Sequence, residues 1–216
     1  MTVTLFLDTS TDVRVGVAVD GRPVARAVLR DRRAHAEQLM PLVTQALADA
    51  GLRLADVDRI VVGVGPGPFT GLRVGVVTAT TLGLALGRPV AGVGSLDAVA
   101  RQWADAGAPE RFVVVSDARR REVYWAAYRA DGVREDGPFV TGPAHVPALP
   151  LAGPGASLVG EATGPVDLDP ARVAARAEAL PDAGLEPLYL RRPDAELPSA
   201  VKTTIPQARL AMGRAR

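Results

Sequence analysis

One stretch narrows the fold more than any other: Val61-Val62-Gly63-Val64, then Gly65-Pro66-Gly67-Pro68, then Phe69-Thr70-Gly71-Leu72-Arg73-Val74-Gly75. A β-branched run passes through a glycine-proline loop into an apolar, helix-forming segment, which reads as a strand-loop-helix unit. Glycines at 65, 67 and 71 let the backbone approach a neighbour closely, and the first N–H groups of the helix lack intrahelical partners and favour an anion. Two readings stand together, a phosphate cradle and a tight turn without a ligand. The standard nucleotide motifs are missed. No lysine follows the glycines as Gly-x-x-x-x-Gly-Lys-[Ser/Thr] requires, and the spacing is not Gly-x-Gly-x-x-Gly.

The segments around this unit fix its context. Thr2 to Asp8, Arg14 to Asp20 and Pro23 to Leu29 alternate like strands, with Asp20-Gly21 as a two-residue turn. A helix follows from His35 to Ala50, with Leu39, Val43, Ala46, Leu47 and Ala50 on one face and Gly51 as its stop. Pro41 either kinks this helix or marks a regular part that begins near Leu39. Strand Arg59–Val64, helix Thr70–Leu86, strand Pro89–Val93 and a helix from Ser95 complete the order βββαβαβα. That order predicts an actin-like, or ribonuclease H-like, α/β half-domain, a meander continued by parallel strands. By analogy with this fold, the turn after the first strand faces a second glycine loop across a nucleotide cleft. Asp8, Thr9, Ser10, Gly65, Gly67, Thr70 and Gly71 are therefore the candidates for lying near a nucleotide.

From Glu110 the pattern restarts, so two lobes are expected, 1–106 and 107–192, followed by a polar tail, 193–216, that is mobile or packs back on the first lobe. Strands Arg111–Ser116 and Arg121–Arg129 are joined by Asp117-Ala118-Arg119-Arg120. Pro138, Pro143, Pro147, Pro150 and Pro154 predict loop from Asp136 to Gly155. A short strand, Ala156–Val159, and a helix opening at Asp169-Pro170 and ending near Leu180 follow.

Composition removes several chemistries. With no cysteine there is no disulfide, thiolate ligand or cysteine nucleophile. Of the two histidines, His35 has Leu39 one turn on and His145 lies among prolines, so no His-x-x-x-His pair exists and no metal is expected. A Gly-x-Ser-x-Gly elbow is absent, which leaves a peptidase without its serine. The formal net charge of +1 compels no nucleic-acid binding, although Lys202 is the only lysine among 25 basic residues. The clusters Arg30, Arg32, Arg33 and Arg119, Arg120, Arg121 read either as phosphate contacts or as solvated faces. The residues from Met1 to Leu7 read as a strand, so no secretion signal is expected there, and fourteen uncharged residues between Arg73 and Arg88 fall short of the roughly 20 that cross a bilayer. The expectation is a cytoplasmic protein that meets no membrane.

The segment Thr70–Leu86 has no polar face, being broken only by Arg73, Thr78, Thr80 and Thr81. Gly71, Gly75, Ala79, Gly83 and Gly87 recur every fourth residue, a stripe for close packing on its own sheet or on another backbone. One sheet covers one face only, so the remainder predicts a docking surface shared with the first helix. Its candidates are His35, Leu39, Met40, Val43, Leu72, Val76, Thr80 and Leu84. The same surface would serve a homodimer when no other partner is present.

Five motifs in order resemble the TsaB (YeaZ) family: Leu7-Asp8-Thr9-Ser10-Thr11, His35-Ala36-Glu37-Gln38-Leu39-Met40-Pro41, Gly65 to Arg73, Asp117-Ala118-Arg119 with Glu122-Val123-Tyr124, and Pro187-Leu188-Tyr189-Leu190-Arg191. One departure stands out. The family loop reads Gly-Pro-Gly-Ser-Phe-Thr-Gly, and Pro68 replaces that serine. The resemblance implies a non-catalytic scaffold subunit paired with a TsaD-like catalytic paralogue and a TsaE-like ATPase. Such a complex moves threonylcarbamoyl from threonylcarbamoyl-AMP to N6 of the adenosine next to the anticodon. It implies no cofactor of the chain's own, ATP or ADP at the interface within the complex, and tRNA met only through the complex. Asp117, Arg119 and Glu122 are expected to organise the second lobe rather than do chemistry. The alternative is a small actin-like ATPase or kinase using Asp8 to hold magnesium, and a glycoprotease-type peptidase stands behind it.

Overall fold

The computed structural model describes residues 1–30 and 35–191, without the side chains of residues 35 and 36. The tail from 193, the side chain of His35 and the pair Arg32-Arg33 thus lie outside the described residues. The chain opens with the meander β1 (Val3–Asp8), β2 (Val13–Val19) and β3 (Arg22–Leu29). It continues through α1 (His35–Asp49), β4 (Arg59–Gly63), α2 (Phe69–Leu86), β5 (Val90–Val93) and α3 (Ser95–Ala104). The sheet runs β3-β2-β1-β4-β5, with β1, β4 and β5 parallel. Side chains alternate across it. Val3, Leu5, Leu7, Val13, Val15 and Val17 share one core with α1 and α2, while Phe6 and Ala18 point into another with α3.

The second half holds β6 (Arg111–Arg119), β7 (Glu122–Arg129), β8 (Arg134–Thr141), β9 (Leu151–Ala152) and α4 (Pro170–Ala175). Its sheet order, β8-β7-β6-β9 with β9 parallel to β6, repeats β3-β2-β1-β4. The molecule therefore has the actin-like, two-lobed α/β fold.

Three elements differ from the sequence reading. The segment 134–141 is a strand where loop was expected from Asp136, because β8 is the outer strand and an edge tolerates Pro138 with shifts in register. Ala156–Leu158 is a 3-10 turn, and the parallel strand is the earlier, two-residue Leu151–Ala152. The helix capped by Asp169 stops at Ala175, with a 3-10 turn at Ala177–Ala179 instead of a continuous run to Leu180. Asp169 Oδ1 accepts from the N–H of Ala171 at 3.1 Å and of Arg172 at 3.4 Å, and Pro170 supplies the first turn. This helix belongs to the span 107–192, yet it crosses back and packs on β1, β2 and β3. Gly16 makes the crossing feasible: a Cβ there would stand 2.0 Å from the Pro170 carbonyl oxygen.

Helix α1 runs unbroken through Pro41. In α2, Gly71, Gly75, Ala79 and Gly83 are buried, and a Cβ at Gly75 would meet Thr9 Oγ1 at 2.3 Å. The small-residue stripe serves the chain's own sheet. By length and composition α2 meets the measure of a membrane span, but here that stripe packs as a core helix does. Gly87 ends it in the left-handed region, at φ 62°.

Candidate functional site: a filled cleft and an outward helix face

The turn after β1 and the glycine loop meet as the fold analogy requires, and they meet without a gap. Asp8 Oδ1 accepts from Ser10 N–H at 2.9 Å and from Ser10 Oγ at 2.7 Å, and Oδ2 accepts from Ser95 Oγ at 2.6 Å. Ser95 Oγ also accepts from Gly65 N–H at 3.2 Å. Thr9 Oγ1 donates to the Gly71 carbonyl at 2.7 Å. Gly67 lies against the turn so closely that a Cβ would stand 2.7 Å from the Ser10 carbonyl oxygen. Asp8, Thr9, Ser10, Gly65, Gly67 and Gly71 are all buried and bound to one another, while Thr70 is exposed.

Arg14, only 3% exposed, lies between the lobes. Nη1 donates to the Leu168 carbonyl at 2.6 Å, and Nη2 to Asp12 at 3.0 Å and Asp167 at 2.9 Å. The space left among Asp8, Ser10, Arg14, Pro66, Ser95 and Ser116 is about 20 Å³. That is room for one water at most, and the Nε of Arg14, a residue that borders it, is buried without a hydrogen-bond partner among the described residues. A small-molecule pocket takes roughly 300 Å³ or more. The candidate nucleotide residues other than Thr70 are thus brought together by hydrogen bonds and close packing, and the space among Asp8, Ser10 and Arg14 is too small for a phosphate chain.

Pro68 is the N-cap residue of α2 and makes no side-chain cap. A serine hydroxyl at this position could reach N–H groups of the first turn, so one thing the departure at Pro68 removes is a helix cap.

In the second lobe, Asp117 Oδ1 accepts from Arg119 N–H at 2.7 Å, and Glu122 pairs with Arg191, whose Nη1 donates to the Ala118 carbonyl at 3.0 Å. Asp117, Arg119 and Glu122 shape the hairpin and anchor the last described segment to it. A second buried tie joins the lobes: Tyr128 Oη donates to Asp97 Oδ1 at 2.7 Å, and Arg134 Nη2 donates to Asp97 Oδ2 at 2.7 Å. Burial, and next the charge of Asp97, push the Tyr128 phenol well above its ordinary value of 10.0.

The docking surface read from the sequence needs correction. Leu39, Val43 and Val76 lie inside the first core, and Leu72 is 0% exposed, so none of the four can meet a partner. Their helical positions face the sheet or the neighbouring helix. Met40 and Leu84 do face outward, the latter at 86% exposure, and Thr80 is half-buried with its hydroxyl donated to the Val76 carbonyl. The reading missed Phe69 and Val77, which stand at 41% and 60%. The signal was present: once the stripe 71-75-79-83 is the inner face, residues two positions along it, Arg73, Val77 and Thr81, lie opposite. Among the described residues no group of three His, Cys, Asp or Glu side chains is placed to hold a metal.

Comparison with known proteins sets this geometry in a lineage. The family model described as TsaD, tRNA N6-adenosine threonylcarbamoyltransferase, matches residues 29–152. An uncharacterized protein of Mycobacterium tuberculosis is 48% identical over 209 residues, covering 92% of this chain and 96% of its own. The tRNA threonylcarbamoyladenosine biosynthesis protein TsaB of Escherichia coli is 37% identical over 129 residues, 59% of this chain. The match spans little more than half of that relative, 55%. A Pseudomonas aeruginosa crystal structure, described as similar to peptidase YEAZ, superposes with a TM-score of 0.71 at 28% identity, over 88% of this chain and all of the other.

Proposed function

This chain belongs to the TsaB (YeaZ) family, and we propose that it acts in forming threonylcarbamoyladenosine on tRNA as a scaffold subunit without a catalytic site. The observation that carries this reading is the outward face of α2. Leu84 at 86%, Val77 at 60% and Met40 of α1 at 37% exposure put apolar side chains on adjoining helices where the monomer gains nothing from them. A surface of that kind fits a second helix pair. A TsaD-like catalytic paralogue is the partner proposed, with a second copy of this chain taking its place when it is absent. A TsaE-like ATPase completes the complex, and ATP or ADP binds at an interface. The cytoplasm, where tRNA is modified, is its proposed location.

The filled cleft supports the same reading from the other side. An actin-like ATPase or kinase must admit a nucleotide between the lobes, and here Arg14 and the Asp8 network fill the part of the cleft beside the first turn. A peptidase of the serine-histidine type needs an imidazole beside its serine, and among the described residues no histidine lines the space around Ser10, Ser95 and Ser116. The test is co-expression of the chain with the TsaD-like protein of the same organism, followed by size-exclusion chromatography and tRNA nucleoside analysis. Val77→Glu with Leu84→Glu should leave a folded monomer that no longer associates and no longer restores the modified nucleoside. Unchanged association and modification in that folded variant would remove this face as the docking surface.

A further inference from the structure

A second surface lies at the far side of the glycine-proline loop. There a groove of about 370 Å³ runs between Pro68-Phe69 and the β6–β7 hairpin, with Arg119, Arg120, Tyr189 and Arg191 along its walls. The pairing of Arg119 with Glu122 makes Arg120-Arg121 a two-residue hairpin turn. Arg119, Arg120 and Arg121 have φ of 65°, 51° and 63°, all in the left-handed region that a Cβ disfavours. Turns with positive φ at both central residues favour Asn-Gly. Three solvent-exposed arginines stand here instead, so the side chains are kept against the preference of the backbone.

The opposite wall is aromatic. Arg73 Cζ sits 4.0 Å above the Phe69 ring, Phe69 and Tyr189 have centroids 4.8 Å apart, and Arg73 Nε donates to Tyr189 Oη at 3.1 Å. Arg119, Arg120 and Arg191 line the groove, with Arg121 next to them in the turn and Arg73 over the Phe69 ring, and among the described residues Asp117 and Glu122 pair with Arg119 and Arg191. Guanidinium groups and a tilted pair of aromatic rings along an open groove match an unpaired RNA strand, whose phosphates and base faces need those two surfaces. We propose that this groove binds a single-stranded segment of RNA directly. The proposal rests on the tRNA-modifying role and gives this chain its own hold on the tRNA.

Fluorescence anisotropy of a labelled anticodon stem-loop RNA, titrated with the full chain across a range of salt, tests it. The double variant Arg120→Asn, Arg121→Gly should melt no lower than the parent, because the turn is relieved, and should bind about tenfold more weakly. Its slope of log affinity against log salt should fall by about 1.4, two contacts at about 0.7 each. The control Arg53→Gln, Arg111→Gln should keep parental affinity. Equal binding by parent and turn variant, no salt-dependent binding by the parent, or displacement of the RNA by polyglutamate at equal charge would each overturn the assignment. Association of Leu84→Glu with the TsaD-like protein reads the scaffold role separately, since Leu84 is not part of the groove.

Discussion

Gly63 lies beneath Asp8 so closely that a Cβ on the glycine would stand 1.9 Å from Asp8 Oδ2. The same added atom would come 2.8 Å from Ser95 Oγ, so the network that closes the cleft depends on a missing methyl group. Gly63→Ala should therefore destabilise the protein by about 1–3 kcal/mol. Thermal unfolding of Gly63→Ala, Asp8→Ala and the double variant reads the relationship. The double variant should lose less than the two single losses added together, and strict additivity would contradict the contact.

Arg14 gives a second prediction. Replacing it with Met removes the donor to the Leu168 carbonyl and the ion pair with Asp12, while Asp167 keeps Arg30 at 2.6 Å. The loss should be about 2 kcal/mol, below that of a fully buried pair because Asp167 is half-exposed. Urea denaturation should show a lower midpoint with an unchanged slope, and an unchanged midpoint would mean that the inter-lobe contacts contribute nothing.

The two faces of α2 should fail differently. Gly75→Leu drives side-chain bulk into Thr9 and should lower stability by about 1–3 kcal/mol. Val76→Glu puts a carboxylate in the core and should cost at least as much. Leu84→Glu should stay within about 0.5 kcal/mol of the parent in the monomer. Chemical denaturation of the three variants checks the ranking, and a strongly destabilised Leu84→Glu monomer would place that residue inside.

At alkaline pH the Tyr128 phenol controls the trend. Its pKa is raised in the folded state, so above pH 10 the unfolded chain loses that proton first and holds fewer protons than the native one. The contribution is complete below pH 10 and is lost as pH climbs through the folded value. Tyr128→Phe should be less stable near neutrality, for want of the hydrogen bond to Asp97, and should show a shallower alkaline decline. Tyrosinate absorbance during a pH titration gives the direct reading, and normal titration of all three tyrosines in the folded protein would refute it.

Much of the first lobe was legible because its signals are local. Alternation in Val3–Asp8, the Asp20-Gly21 turn and the strand-loop-helix unit each follow from neighbouring residues. Asp169-Pro170 announced a helix start for the same reason. The sheet on which that helix lands was not legible, because Gly16 and Pro170 meet through space alone. Nor was the filling of the cleft. Asp8, Thr9 and Ser10 have the same side chains whether they bind a phosphate or one another, and the choice depends on Arg14, whose partners at 167 and 168 no short window connects to it. Periodicity identified α2 as apolar on all sides but did not say which side faced in, so Leu72 and Val76 were placed on the surface until the buried stripe fixed the rotation.

The return of α4 to the first sheet has a consequence for synthesis at the ribosome. Arg14 and Leu168 are 154 residues apart in the chain, and the part of the first sheet under α4 stays uncovered until that late segment has emerged. The core that Phe6 and Ala18 share with α3 therefore stays incomplete until Val173 and Ala174 of α4 arrive, when nearly the whole polypeptide has been made. A nascent chain halted after the second sheet would present sticky, half-built strands to its neighbours, and holding chaperones should recognise it far better than the finished protein.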